Sequence, residues 1–172
     1  MKFLSETKLN SLKWVQRSNK EDELISGEDV VCALHWASTW GSLVIAESAE
    51  GKWTFKRTGF IHPKITVRES GSDADLYVVD VSWGGEATLI MPEGTFRWTP
   101  NVWHTNWILR DNDGREVMRV ELSGFVNVSG KLTINQQSIS APKLSMLALL
   151  GWYLILNVLS EDSSSLEQLF RL

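Results

Sequence analysis

Residues 144–159, LSMLALLGWYLILNVL, form the only long apolar run in the chain that carries no charge. Leu144, Leu147, Leu150, Leu154 and Val158 fall on one side of a helix, and Met146, Leu149, Trp152, Ile155 and Leu156 cover the others. A helix that is apolar all round has to be buried, either in protein or in lipid. Crossing a bilayer takes about 20 apolar residues, and this run is shorter. Ser145 lies near one end, Asn157 near the other, and no cluster of Lys or Arg marks a flank. The better expectation is a helix over residues 143–160 buried inside protein. Pro142 suits its first turn, where the missing N–H is not needed. Gly151 allows another backbone or ring to come close. The alternative is a membrane anchor formed by 144–159. The remaining residues, 161–172, read as a tail, either frayed or a short amphipathic helix.

A helix of this kind needs a container, and the residues before it supply one. From Val30 the chain alternates apolar and polar with period two, as half-buried strands do. Val30, Cys32, Leu34 and Trp36 alternate with Val31, Ala33 and His35. Further short strands follow at 43–46, 53–56, 65–67, 77–83, 87–91, 96–98, 107–109, 116–122 and 131–135. On the 77–83 strand Tyr77, Val79, Val81 and Trp83 face one way, and Asp80 faces the other. Turn residues separate the strands, most clearly Glu50-Gly51, Pro92-Glu93-Gly94 and Asp111-Asn112-Asp113-Gly114. Nine or ten short strands at near-regular spacing predict a barrel or sandwich of consecutive hairpins. Residues 1–29 read as an extension or a first strand, with Glu21, Asp22 and Glu23 as a solvated acidic knot. The predicted fold class is thus all-β with one helix: an antiparallel β-barrel of short strands around a C-terminal hydrophobic helix, with the barrel at 30–160.

Nine tryptophans are many for 172 residues, and seven lie between Trp36 and Trp107. Large rings fill a wide interior with few residues, which fits an aromatic-rich β core. The net charge of −4 argues against nucleic acid as a partner. Cys32 is the single cysteine, so no disulfide forms within the chain and no cysteine-rich metal site can be built. No motif implies a cofactor. The first residues, MKFLSETKLNSLKW, lack the apolar core of a signal peptide, and the expected setting is cytoplasmic.

A strand-rich middle, the stretch 53–60 (WTFKRTGF) and the helix segment 147–156 (LALLGWYLIL) resemble the tubby C-terminal-like superfamily. That group also holds the phospholipid scramblases and the plant LURP-one-related proteins. The similarity spans about residues 30–160 and is one of pattern. It implies a barrel closed around its C-terminal helix. It also implies a non-enzymatic binding or scaffold role, since tubby domains hold phosphoinositide head groups on basic side chains of the barrel surface.

Two constellations carry the functional expectations. Between residues 52 and 68 lie Lys52, Lys56, Arg57, Lys64 and Arg68, and no acidic residue intervenes. Lys56, Lys64 and Arg68 fall on the polar side of their strands. If the two strands pair, the charges converge and can hold a phosphate by charge-assisted hydrogen bonds. Lys56, Arg57, Lys64 and Arg68 are therefore the candidate ligand-binding residues, with an anionic phospholipid head group as partner and membrane association as the consequence. A solvated strand face is the bland reading of the same residues. The second constellation is Trp98, Trp103 and Trp107 around His104. Barrel-capping aromatics explain it, and so would a ring-binding groove of a carbohydrate binder or an enzyme, with His104 as acid or base. No pair of carboxylates, nucleophile elbow or histidine cluster accompanies it. A role in protein–protein contact fits equally well.

Overall fold

The structure is a computed structural model that describes residues 1–124, 127–135 and 139–170, with side chains through residue 163. Twelve strands and one helix build it: β1 (Leu12–Ser18), β2 (Glu21–Ser26), β3 (Asp29–Trp36), β4 (Val44–Ser48), β5 (Gly51–Thr58), β6 (Lys64–Glu69), β7 (Tyr77–Val81), β8 (Ala87–Met91), β9 (Gly94–Pro100), β10 (Asn106–Arg110), β11 (Glu116–Ser123), β12 (Ser129–Ile134) and α1 (Ala141–Phe170). Each strand pairs antiparallel with its neighbours in sequence. β1 also pairs with β12, in the register Leu12↔Leu132 and Trp14↔Gly130, and this closes the barrel. Closure removes both sheet edges, so no ladder is left open to another chain.

The N-terminal segment contributes two strands rather than one, because Leu12 and Trp14 on β1 and Leu24 on β2 alternate inward. Asp22 is in phase with Leu24 and points the same way. It is 2% exposed, so the expected solvated knot does not exist at its centre. The 77–83 strand is also shorter than its alternation suggests. β7 stops at Val81, and Trp83 sits in the turn that follows, fully outside the core.

A barrel of twelve strands is too wide to be filled by its own inward side chains, which suffice for about eight strands. An α-helix, ≈ 10–12 Å across with its side chains, occupies the remaining space. Helix α1 does this. From Leu144 to Ile155 nearly every side chain is buried, including the polar Ser145. The segment Ala141–Ser163 is long and apolar enough to cross a membrane, but it is mostly buried inside the barrel. The helix runs on to Phe170, beyond the expected 160.

Two close approaches fix how the helix sits. A Cβ on Gly151 would collide with the Trp98 ring from β9, with Cε2 at 2.7 Å. On the other side Trp152 stacks on Trp14, ring centroids 5.3 Å apart and planes 3° from parallel. Gly130 on β12 leaves room for that ring, since a Cβ there would meet Trp152 Cζ3 at 2.7 Å. Tyr153 adds a polar tie. Its hydroxyl donates to the Ser42 carbonyl at 2.5 Å and accepts from the Arg57 backbone N–H at 2.9 Å.

Candidate functional site: the helix-exit rim of the barrel

In a meander barrel, alternate connections lie at the same end. The turns 27–28, 49–50, 70–76, 92–93 and 111–115 share one end with the start of α1. The connections 19–20, 37–43, 59–63, 82–86 and 101–105 share the other, where α1 leaves the barrel. The two ends differ in chemistry. The first is built of polar turn residues, with Met1, Phe3 and Leu76 as its exposed apolar side chains. At the exit end every longer described loop carries a large apolar residue at its tip. Trp40 is 98% exposed, Phe60 90%, Trp83 78% and Trp103 82%, and Ile61 and Val102 accompany them. Among the described residues no tryptophan is exposed to this degree anywhere else.

The tips are held in place. His104, with φ of 53°, is the one non-glycine residue with positive φ among the described residues. Its ring lies between two loops and the helix. Nδ1 is 2.9 Å from Asp162 of α1, and Nε2 is 3.2 Å from the Gly84 carbonyl. Arg57 forms an ion pair with Glu161, one residue earlier on α1. These bonds tie the 82–86 and 101–105 loops and β5 to the emerging helix. Both ring nitrogens are engaged within the molecule, with Asp162 and the Gly84 carbonyl.

The tryptophan groove is not formed. Trp98 and Trp107 are inward-facing core residues, and only Trp103 stands outside. Trp98 packs on Gly151, and the Trp107 ring lies tilted against His104 with ring centroids 5.8 Å apart.

The basic residues are placed as follows. β5 and β6 do pair, with Lys56↔Thr66, Thr58↔Lys64 and Thr54↔Arg68, so Lys56, Lys64 and Arg68 share the outer face. Arg57 does not join them. It is in phase with Trp53 and Phe55, points inward and is committed to Glu161. The others meet carboxylates from neighbouring elements. Arg68 Nε lies 2.7 Å from Asp75, Lys64 Nζ 3.8 Å from Asp80 on β7, and Lys52 Nζ 3.3 Å from Glu47 on β4. Lys56 is left without an ion pair among the described residues. The stretch that is purely cationic in sequence is thus nearly neutral in space, because the pairing strands bring their own acids.

Two of the cavities hold polar groups that bear on function. One, of about 640 Å³ at the helix-entry end, is lined by Glu50, Lys52, Trp53, Glu69, Tyr77 and Lys143, among others. Three of its charged groups, Glu50, Lys52 and Lys143, are engaged within the molecule. Glu50 accepts from the Leu4 backbone N–H at 2.5 Å and from Ser145 Oγ at 3.0 Å, and Lys143 pairs with Glu93. Cys32 is buried close by, and burial together with the Glu50 charge pushes its thiol up, which keeps it unreactive. The other cavity, of about 490 Å³, opens at the exit rim between the β1–β2 turn, the 37–43 loop and α1. Asp22, Trp36 and Trp40 are among its lining residues. Among the described residues no group of three or more His, Cys, Asp or Glu side chains is arranged to hold a metal ion.

Sequence reasoning misses the rim and Asp22. The signal for the first is that four alternate loops, at 37–43, 59–63, 82–86 and 101–105, each hold an aromatic residue. The signal for the second is that Asp22 falls in phase with Leu24. Comparison with known protein families, with curated proteins and with solved structures finds no match to this chain.

Proposed function

We propose that the chain is a non-enzymatic binding module that docks on a membrane surface with its helix-exit rim. The observation that carries this reading is the set of four loops, at one end of one barrel, that each expose an aromatic tip. Tryptophan and phenylalanine partition into the headgroup region, where one edge of the ring can stay wet. Four such tips on a rigid frame enter together, so the entropy of ordering them is spent on folding and not on binding. At ~25 cal/mol per Å² of apolar area, partial burial of each ring contributes roughly 1–2 kcal/mol.

The charges define which surface. Near this end Arg17, Arg57 and Lys64 face carboxylates within the molecule, and Lys20 and Lys56 stand without an ion pair among the described residues, which leaves only a small positive field to attract anionic lipid. A zwitterionic surface suits the rim better than the anionic head group expected from the sequence. Kinship with the tubby-like group is part of the same proposal, supported by the closed barrel around a C-terminal helix.

The test is co-sedimentation with phosphatidylcholine and phosphatidylglycerol vesicles. The triple variant Phe60→Ser, Trp83→Ser, Trp103→Ser is expected to lose vesicle binding and to keep its melting curve, because all three side chains lie outside the core. The wild-type protein staying in the supernatant with both lipids would overturn the reading, and so would a triple variant that binds as well as wild type. The anionic-head-group alternative predicts instead binding to phosphatidylglycerol alone, lost in Lys56→Glu.

A further inference from the structure

We propose that the rim cavity between the β1–β2 turn, the 37–43 loop and α1 binds a quaternary ammonium group, with the Asp22 carboxylate as counter-charge and the Trp36 and Trp40 rings as walls. The volume of about 490 Å³ lies within the span of small-molecule sites, roughly 300–1,000 Å³. Its lining is otherwise neutral: Gln16, Asn19, Ser42 and Asn157 give polar contacts, Leu156 an apolar one, and Asp22 is the only charged residue.

Asp22 is short of partners. A carboxylate this deeply buried ordinarily sits beside a cation or accepts several hydrogen bonds. Here Oδ2 accepts one long bond, from Trp36 Nε1 at 3.4 Å, and Oδ1 has no partner among the described residues. No Lys, Arg or His among the described residues pairs with it. Burial pushes its carboxyl up from the ordinary carboxylate range. The indole groups of Trp152 and Trp36 oppose that, although Trp152 Nε1 itself completes no hydrogen bond. The missing element is a positive charge.

The walls select which cation. The face of an indole ring attracts a cation through its quadrupole. Trp36 is held in place against Tyr153, ring centroids 5.6 Å apart. Trp40, on the 37–43 loop, also lines the cavity and keeps its ring exposed. A quaternary ammonium carries no N–H and holds its water weakly, so exchanging water for aromatic faces costs it little. An inorganic cation or a primary ammonium gives up far stronger hydration. The same chemistry occurs in a free choline-type solute and in the head group of phosphatidylcholine, and only the choice of the second source rests on the membrane reading above.

The full-length protein is titrated with tetramethylammonium chloride and with phosphocholine, against sodium chloride at matched ionic strength, by calorimetry and tryptophan fluorescence. A saturable response to both ligands and none to sodium is expected. Asp22→Asn and Trp40→Ala should each weaken it about tenfold or more. Absence of saturable binding by wild type, or affinities unchanged in both variants, overturns the assignment. Trp40→Ala alters an exposed side chain, so it decides the matter even if Asp22→Asn fails to fold. The triple rim variant leaves the cavity lining intact. If it keeps the soluble ligands and loses phosphatidylcholine vesicles, the site stands with the lipid as its source. If wild type takes the soluble ligands but ignores vesicles, the site stands with a free solute, and only the membrane reading falls.

Discussion

Gly151 shows how much one residue decides. Most glycines in a helix weaken it, by about 0.5–1 kcal/mol relative to alanine. This one is required, because the Trp98 ring lies where its side chain would be. Gly151→Ala is expected to destabilise the fold by about 1–3 kcal/mol, in spite of the better helix propensity, as read from a denaturant melt. A stability gain in that melt would mean that Trp98 can move aside. Asp22 decides something different. Its carboxyl is raised in the folded state, so the folded protein binds a proton more tightly than the unfolded chain. The associated penalty is absent below the unfolded value of about 3.8 and complete above the folded value, so stability from this group falls as pH rises between them. Asp22→Asn is therefore expected to raise the melting temperature at pH 7 and to change it little at pH 3.5. Equal effects at both pH values would mean that the carboxylate charge is already compensated. Both residues were partly open to sequence reasoning. Gly151 stands out inside an apolar run, and the need for close approach follows. The direction of Asp22 follows from its phase with Leu24, but its lack of a partner depends on β3 and α1, which are remote in the chain.

At the scale of elements, the helix is the best-specified part of the chain. Its apolar circumference demanded burial, and the strands around it provide that. The sequence could not show how it is tethered. Tyr153 reads as one more core ring, yet its hydroxyl bridges β5 and the 37–43 loop. Burial pushes it up to about 12, so it stays a neutral donor throughout the physiological range. Tyr153→Phe leaves the Ser42 carbonyl and the Arg57 N–H without this partner. A loss of about 1–3 kcal/mol is expected, with faster hydrogen exchange at Arg57 as its local signature. The strands were legible in number to within two or three. Residues 1–29 read as an extension or one first strand where the structure has β1 and β2, because charged residues interrupt the alternation and only the closed barrel supplies the inward contacts that make both of them strands. The alternation overstates β7 because Trp83 continues its phase, whereas Gly84 and Gly85 turn the chain just after it.

The whole molecule is polar at one end and aromatic at the other, and this asymmetry carries the functional reading. Lipids bearing a quencher near the headgroup are expected to quench only part of the tryptophan emission. Trp40, Trp83 and Trp103 would be reached, while Trp14, Trp53, Trp98, Trp107 and Trp152, all buried, would not. Quenching of the entire signal would indicate that the barrel opens on binding. A high tryptophan count is visible in the sequence, but its division between core and rim is not. The division follows from the hairpin parity that sends alternate loops to opposite ends.

The sequence alone determined that a circumferentially apolar helix would need enclosure and that short alternating strands would provide it, because both follow from local periodicity. Tertiary structure decided the rest. Whether Lys64 and Arg68 face solvent alone or beside Asp80 and Asp75, whether Trp98 lines a groove or seals the core, and whether Asp22 meets water or a cavity all depend on which strand lies next to which. Charge and exposure are properties of neighbours in space, and in a closed barrel those neighbours include the two ends of the chain and a helix more than a hundred residues away from Asp22 in sequence.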